Sequence, residues 1–230
     1  MPTTLIHFPL CPASRAIRVA LFECGIEADL SEVKPWALAR DFLNINPAGT
    51  LPVLMLDARA VCGVYPVVEY LSESTPRETG AAARAQIWPG LPVERAEARR
   101  VADWFLTKFD AEVSQSLLDE KLYKPMARGR LAPDLPAIRA CRSNLRYHLS
   151  YISFLSDQRK WLGGDHISFA DVAAAAQLSV MDYLSEIPWT EFPEAKAWYQ
   201  RLKSRPSFRS ILADRIPGFS PPETYADLDF

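Results

Sequence analysis

The sequence lacks the marks of a membrane-spanning or exported protein. No apolar run in its 230 residues approaches the roughly 18 residues that cross a bilayer. The first four residues, Met1 to Thr4, contain no basic segment followed by an apolar core, which a signal peptide would have. We therefore expect a cytoplasmic protein that does not insert into membranes.

Cysteine is scarce and the net charge is small. The four cysteines are Cys11, Cys24, Cys62 and Cys141, with no CxxC pair and no clustered histidines. This spacing indicates neither a zinc site nor a disulfide framework, so we predict reduced thiols and no bound metal. The formal net charge of −2 argues against nucleic acid as a partner, because such binding needs a basic surface.

The chain divides into four stretches of different composition. Residues 1–76 alternate short strand-like and helix-like segments, whereas residues 93–214 carry helical periodicity throughout. Residues 77–92 contain prolines and glycines without sustained periodicity, which indicates a linker, and residues 215–230 contain three prolines, which indicates an extended tail. The order predicts an α/β domain followed by an all-α domain.

A capping box begins the most apolar helix of the second part. Phe169 to Leu184 is almost wholly apolar, which predicts a buried central helix. Ser168 is placed to cap the backbone N–H of Asp171, and the Asp171 carboxylate is placed to accept from the N–H of Ser168. We assign both residues a structural role. A second long helix is predicted from Val93 to about Lys121.

Cys11 stands between the first predicted strand and the first predicted helix. A thiol at a helix N-terminus is favoured as thiolate, because unpaired N–H groups and the helix dipole stabilise negative charge. Two interpretations remain open from the residues alone. Cys11 is either a reactive thiolate or only a loop residue that precedes the helix.

The segment from Asn46 to Leu54, Asn-Pro-Ala-Gly-Thr-Leu-Pro-Val-Leu, resembles the Asn-Pro-x-Gly-x-Val-Pro-x-Leu stretch of glutathione S-transferases. With the first helix and the capping box, the resemblance covers about residues 4–214. It implies the glutathione S-transferase (GST) fold, a thioredoxin-like N-terminal domain and a C-terminal helical bundle. It also implies a cis Pro52, a Leu51 backbone at the glutathione pocket, and a Cys11 that forms mixed disulfides with glutathione, as in omega-like branches.

The chain departs from that family pattern at Gly63-Val64. Family members that bind glutathione carry Glu or Gln followed by Ser here, and the Ser hydroxyl holds the γ-glutamyl carboxylate at a helix start. Losing one hydrogen bond to a charged group costs about 1.5–3 kcal/mol, which is a roughly tenfold to more than hundredfold loss of affinity. The resemblance implies a pocket at Cys11, Leu51, Pro52, Gly63 and Val64, and we expect no required cofactor. The alternative is a glutathione-dependent thiol transferase or transferase that uses Cys11.

Other stretches resemble one branch of the superfamily, the GST-like cell-division proteins of alphaproteobacteria. They are Leu10 to Arg18, Leu145 to Leu149, Trp198 to Arg209 and Tyr225 to Phe230. This resemblance implies a non-enzymatic homodimer that binds FtsZ filaments, promotes their curvature and supports constriction at the division site. In the GST fold, the helix that begins near Val93 commonly forms the dimer seam.

The C-terminal residues are the candidate contacts for such a partner. They are Tyr225, Asp227, Leu228, Asp229 and Phe230. Acidic and apolar side chains alternate here, and the nearby prolines disfavour helix, so an extended segment would dock at a low ordering cost. The alternative is a tail folded back onto the helical domain, with its aromatic residues covering a groove.

Three further features have plain interpretations. His148 has no acidic or cysteine neighbour at catalytic spacing in the sequence, so we expect packing or surface exposure. Trp36 is either an exposed contact residue or a residue packed inward. Glu97 and Arg100 stand three residues apart and predict an ion pair on one helix face.

Overall fold

The N-terminal part of the protein is a four-stranded mixed sheet with three helices. The computed structural model describes residues 3–74, 87–129 and 132–228. The N-terminal elements are β1 (Thr3–His7), α1 (Pro12–Glu23), β2 (Asp29–Glu32), α2 (Arg40–Ile45), β3 (Val53–Leu56), β4 (Arg59–Cys62) and α3 (Val64–Ser74). The strand order is β2-β1-β3-β4, with β1 parallel to β2 and antiparallel to β3, and with β3 antiparallel to β4. The predicted α/β arrangement is confirmed.

The sheet has helices on both faces because neighbouring residues of a strand point to opposite sides. Leu5 of β1 is fully buried in the main core, whereas Ile6 packs into a small cluster with Phe42 of α2 and Val53 of β3. Helices α1 and α3 contribute their apolar stripes to the main core on the opposite face. This packing fixes the loop between β1 and α1 at one end of the sheet.

The second part of the protein is helical. Its α-helices are α4 (Pro92–Asp103), α5 (Gln115–Leu118), α6 (Lys124–Arg128), α7 (Leu135–Gln158), α8 (Phe169–Tyr183), α9 (Pro193–Lys203) and α10 (Arg209–Leu212). Trp104–Ser114 and Asp119–Tyr123 are wound as π-helices and join α4, α5 and α6 into one continuous helical rod. The helix predicted to end near Lys121 therefore continues to Arg128. The predicted linker, residues 77–92, lies mainly outside the described residues.

Helix α8 is the buried centre of this part, as predicted, and every residue from Phe169 to Tyr183 is buried. The capping box at its start is confirmed, with the Asp171 Oδ2 accepting from the Ser168 N–H at 3.1 Å. Asp171 does more than cap its helix. Its Oδ1 also accepts from the Leu162 N–H at 2.8 Å and from the Trp198 indole N–H at 3.1 Å. One carboxylate thus joins α8, the loop before it and α9.

Residues after α10 fold back onto the protein, so the prediction of an extended tail is wrong for residues 216–225. Ile216 and Phe219 form an isolated bridge, and Glu223–Tyr225 is a turn of 3₁₀-helix. The prolines stop a long helix from forming, but they are compatible with tight turns that bury an aromatic side chain. Among the described residues, no helix is both long and apolar enough to span a membrane.

Replacing Asp171 with Ala should destabilise the fold strongly. The substitution leaves the N–H groups of Leu162, Ser168 and Trp198 without their acceptor in the interior, and each such loss costs about 1–3 kcal/mol. We expect the free energy of unfolding in urea to fall by about 3–5 kcal/mol in total. Asp165→Ala is the matched control, because Asp165 is exposed on the loop that precedes α8. Equal urea midpoints for the two variants would contradict this role for Asp171.

Candidate functional site

Cys11 occupies the position before the first residue of α1, at the end of the loop that follows β1. Its backbone is extended, its N–H donates to the Phe8 carbonyl at 3.0 Å, and Pro12 begins the helix. Ser14 is buried in the first turn and accepts a hydrogen bond from the Phe8 N–H at 3.4 Å. The sequence therefore folds into a tight turn that presents the thiol at a helix start, as predicted.

The surroundings of Cys11 do not stabilise a thiolate. Burial raises the pKa of the thiol, and the nearby Asp110 carboxylate raises it further. Hydrogen bonds from Ser14 and from the Ala13 backbone lower the pKa, but they do not outweigh the burial. This shift of the pKa favours the thiol over the thiolate, which weakens the first of the two interpretations of Cys11.

The loop before β3 brings Leu51 next to Cys11. The peptide bond between Leu51 and Pro52 is cis, as the family resemblance implied. Asn46 holds the loop closed through a 2.8 Å hydrogen bond from its side-chain N–H to the Thr50 carbonyl. Gly49 has φ +66°, and a Cβ atom there would lie 3.2 Å from the Leu38 side chain, so the turn favours glycine.

Cys11 and Leu51 line one cleft of about 340 Å³. Its other described lining residues are Pro12, Ala13, Pro35, Gly49, Thr50, Asp110, Gln115, Leu118, Asp119 and Tyr123. The cleft therefore lies between the β1–α1 loop, the cis-proline loop and the helical rod. Pro52, Gly63 and Val64 are not among the described residues that line it.

Gly63 and Val64 lie where β4 meets α3. The Gly63 N–H donates to the Pro52 carbonyl at 3.1 Å, so the two loops are connected. Gly63 has φ +91°, a conformation in which a Glu or Gln side chain would be strained. Val64 begins α3 and packs its half-buried side chain against the main core. The helix start thus presents an apolar group where glutathione-binding members have a hydroxyl.

The cleft is acidic and aromatic rather than cationic. Asp110 and Asp119 line it, and none of the lining residues described above is a lysine, arginine or histidine. Burial raises the pKa of Tyr123, and the neighbouring Cys11, Asp119 and Asp110 raise it further. Glutathione carries net negative charge at neutral pH, so these carboxylates oppose its binding.

Trp36 packs inward beside the cleft. Its ring meets Phe8 edge-on with centroids 5.2 Å apart and lies 5.4 Å from the ring of Tyr123. The side chain is half-buried. Of the two interpretations of Trp36, the structure supports inward packing.

The tail residues predicted to contact a partner lie in different environments. Asp227 and Leu228 are exposed, and Leu228 shows 40% of its surface to solvent. Tyr225 is fully buried, so the expectation that it contacts a partner directly is wrong. Asp229 and Phe230 lie outside the described residues. The tail therefore combines the two alternatives, with Tyr225 covering a groove and the following residues at the surface.

Arg15 is the residue that sequence reasoning missed. Its guanidinium is fully buried and donates to the Pro9 and Ile211 carbonyls, the Ser179 hydroxyl, the Tyr225 hydroxyl and Asp214. Arg18 lies three residues later, is also buried and bonds both oxygens of Asp214. Two arginines three residues apart in a largely apolar helix indicate in the sequence that distant segments pack against this helix. A buried arginine needs hydrogen-bond acceptors, and this helix does not supply them.

His148 is a buried packing residue with partners from other helical segments. Its Nδ1 accepts from the Trp104 indole at 3.0 Å, and its Nε2 lies 3.0 Å from Glu112. Burial lowers the pKa of His148, against the effect of Glu112, so the ring is neutral at neutral pH. Among the described residues, no group of three His, Cys, Asp or Glu side chains is arranged to hold a metal ion.

Alkylation kinetics test the environment of Cys11. Because burial raises the pKa of Cys11, iodoacetamide should label it more slowly at pH 7 than it labels N-acetylcysteine, and the rate should still rise above pH 9. Mass spectrometry of peptides sampled from pH 7 to pH 10 measures this. A rate that reaches its plateau below pH 8 would show a stabilised thiolate and contradict the argument.

Comparison with known proteins identifies the family. The model of the glutathione S-transferase N-terminal domain matches residues 10–74, and the model of the C-terminal domain matches residues 139–206. FtsZ-localized protein A of Caulobacter vibrioides is 46% identical over 231 residues, which cover 99% of this chain and 98% of that protein.

Two solved structures have the same fold throughout. The glutathione S-transferase from Sinorhizobium meliloti 1021 is 48% identical with a TM-score of 0.93, and FzlA from C. crescentus is 45% identical with a TM-score of 0.92. Both comparisons cover 100% of each chain. The fold predicted from the cis-proline loop and the capping box is thereby confirmed, and the chain belongs to the glutathione S-transferase family.

Proposed function

We propose that the protein is a non-enzymatic binding protein of the division site, which binds FtsZ filaments, promotes their curvature and supports constriction. The observation that carries the proposal is the 46% identity to FtsZ-localized protein A over 99% of the chain. The relative is named for its association with FtsZ, and the similarity covers almost the whole of both proteins. The binding of filaments and the change in their curvature are our extension from that relationship.

The candidate cleft supports a binding protein rather than an enzyme. A transferase needs a thiolate and a site for the glutathione anion. Here burial raises the pKa of Cys11, Asp110 and Asp119 line the cleft, and Val64 begins α3. Each of these features weakens a different step of glutathione chemistry, so their combined effect exceeds that of the Gly63-Val64 change alone.

A glutathione-dependent thiol transferase is the second candidate function. One observation favours it, which is that Cys11 and the cis Leu51-Pro52 loop border one cleft. The two functions require different residues. Cys11→Ala abolishes a thiol transferase and leaves filament binding intact, whereas removal of residues 227–230 does the reverse.

The surface end of the tail is the candidate contact with FtsZ. Asp227 and Leu228 are exposed, and Asp227 and Asp229 supply acidic side chains in this stretch of the sequence. Such a segment offers an apolar anchor and negative charge to a partner with an apolar pocket and cationic rim. Burial of one apolar anchor accounts for a large part of the affinity of a typical small interface.

Co-pelleting with FtsZ tests the proposed function. Purified protein should pellet saturably with FtsZ assembled in GTP and should stay in the supernatant with FtsZ in GDP. Removal of residues 227–230 should weaken the affinity by about tenfold or more, because it removes an anchor of an interface. Electron microscopy of the pellets should show curved filaments only with the intact protein.

The Cys11→Ala variant is the matched control in the same assay and should pellet like the wild type. Pelleting that is lost with Cys11→Ala but kept after the deletion would contradict the assignment of binding to the tail. No pelleting above background by the intact protein would overturn the proposed function. Titration with glutathione, comparing wild type with Cys11→Ala, would then test the second candidate.

We also propose a homodimer that pairs through an aromatic patch beside the predicted seam. The patch consists of Trp104, Tyr147, Tyr151 and Phe154. Tyr147 and Phe154 are 57% and 55% exposed, and both project from α7. The Trp104 ring lies 6.3 Å from Tyr147 and 4.5 Å from Tyr151. Exposed aromatic side chains grouped in this way mark interaction surfaces.

Light scattering after size-exclusion chromatography tests the dimer. The wild type should have about twice the 25.8 kDa mass of the chain, and Tyr147→Glu combined with Phe154→Glu should give monomers, because it places charges in an apolar interface. Leu135→Glu is the matched control on the same helix, since Leu135 is 57% exposed and lies outside the patch. A monomeric wild type, or a dimer that survives the double substitution, would contradict this proposal.

A further inference from the structure

The tail is attached to the protein at defined points before it reaches the surface. The Ile216 N–H donates to the Tyr183 hydroxyl at 3.0 Å, and that hydroxyl donates to the Phe219 carbonyl at 2.6 Å. Lys203 then donates to the Thr224 carbonyl at 3.2 Å. These contacts involve the end of α8 and the end of α9, so the tail runs across the helical part of the protein.

Tyr225 is a further attachment point, and the exposed residues Ala226, Asp227 and Leu228 follow it. Its ring is fully buried and packs edge-on against Tyr183 with centroids 5.2 Å apart. Its hydroxyl accepts from Arg15 Nη1 at 2.9 Å and donates to the Ile211 carbonyl at 3.1 Å. Both hydrogen-bonding functions of the hydroxyl are therefore used.

Arg15 is held in place independently of the tail. Its Nε donates to the Pro9 carbonyl at 2.6 Å, and its Nη1 also donates to the Ser179 hydroxyl at 2.9 Å. Asp214 accepts from Nη2 at 3.2 Å. A rigid guanidinium fork fixed by the β1–α1 loop, α8 and Asp214 directs one N–H to a defined point, and the Tyr225 hydroxyl accepts from it there.

We infer that Arg15, acting through Tyr225, is a positioning residue for partner binding. It touches no partner, because it is fully buried. It fixes the position of the tail at Tyr225, so that the exposed residues Asp227 and Leu228 are presented at one place on the surface. This inference rests on the proposed function, since it assumes that residues 227–230 contact FtsZ.

Attachment of the tail before the partner arrives matters, because the apparent affinity for FtsZ scales with the fraction of molecules whose tail is already attached at Tyr225. A tail already attached at Tyr225 loses little further freedom when residues 227–230 meet the partner. A tail released at Tyr225 must be ordered during binding. The hydrogen bond that the charged Arg15 donates to the Tyr225 hydroxyl corresponds to a roughly tenfold to hundredfold change in the ratio of attached to released tail.

Tyr225→Phe removes both hydrogen bonds of the hydroxyl, the one from Arg15 and the one to the Ile211 carbonyl, and keeps the buried ring. Hydrogen–deuterium exchange measures docking through the protected amides of Phe219, Tyr225 and Asp227, which donate to backbone carbonyls of the tail. We expect exchange there to be about tenfold faster or more, with little change in α8. Tyr65→Phe is the matched control, since its hydroxyl donates to Asp103 far from the tail in the α3–α4 contact.

The FtsZ affinity of four proteins completes the test. These are the wild type, Tyr225→Phe, the form lacking residues 227–230, and the form with both changes. Tyr225→Phe should weaken binding in proportion to the loss of docked tail measured by exchange, and it should have no further effect once residues 227–230 are removed. This non-additivity distinguishes positioning of the tail from a general loss of stability. A general loss of stability would weaken FtsZ binding equally in the full-length protein and in the form that lacks residues 227–230.

Three results would overturn the inference, and they are distinguishable. Unchanged tail exchange in Tyr225→Phe would show that Arg15 does not hold the tail. Faster exchange with unchanged affinity, while the deletion still weakens binding, would show that docking does not position the contact. Binding by the intact protein that is insensitive to the deletion would remove the tail from the interface and refute the proposed contact itself.

Discussion

The hydrogen bonds of the buried Arg15 guanidinium are the interaction on which the arrangement of the N-terminal part and the helical part of the protein depends. A charged group taken out of water is stabilised only if its hydrogen-bonding groups find partners. Arg15 finds them on four separate segments, at Pro9, Ser179, Ile211 and Tyr225, and its charge is matched by Asp214. The β1–α1 loop, α8, α10 and the tail must all be in place for the group to be satisfied. Lysine could not replace it, because an ammonium has three donors at one point and no planar fork.

The charge balance around Arg15 is uneven, and the surrounding polar groups compensate. Arg15 and Arg18 share the single carboxylate of Asp214. Burial alone would lower the pKa of Arg15, but the neighbouring Tyr225 and Asp214 raise it, so the guanidinium stays charged. The same site affects His7. The pKa of this histidine is lowered to about 4, mainly by burial and next by the positive charge of Arg18. The histidine is thus kept neutral near Arg18, which avoids a further positive charge in the interior.

Local patterns in the sequence predict much of this fold, and long-range contacts explain what they miss. The capping box at Ser168 and Asp171 is encoded within four residues, so its geometry follows directly from the sequence. The cis bond at Pro52 followed from the family resemblance. The network of Arg15 joins residues up to 210 positions apart, and no local period marks which ones. For the same reason the sequence leaves two alternatives for the tail, an extended segment or one folded back over a groove, since its prolines predict a broken helix but do not identify the groove that receives Tyr225.

The cleft shows why a family fold does not fix a function. The cis-proline loop and the helix start at Cys11 are parts of the scaffold, because Gly63 bonds Pro52 and Cys11 bonds Phe8 through backbone groups alone. Backbone contacts of this kind do not depend on the side chains of Cys11 or Val64. Glutathione chemistry depends instead on side chains. It needs a hydroxyl at the start of α3, a stabilised thiolate and a site that tolerates an anion. This chain has Val64, a half-buried thiol whose pKa is raised, and two carboxylates in their place. Changes to the side chains of the cleft leave the fold intact, because the buried networks of Asp171 and Arg15 lie outside the cleft.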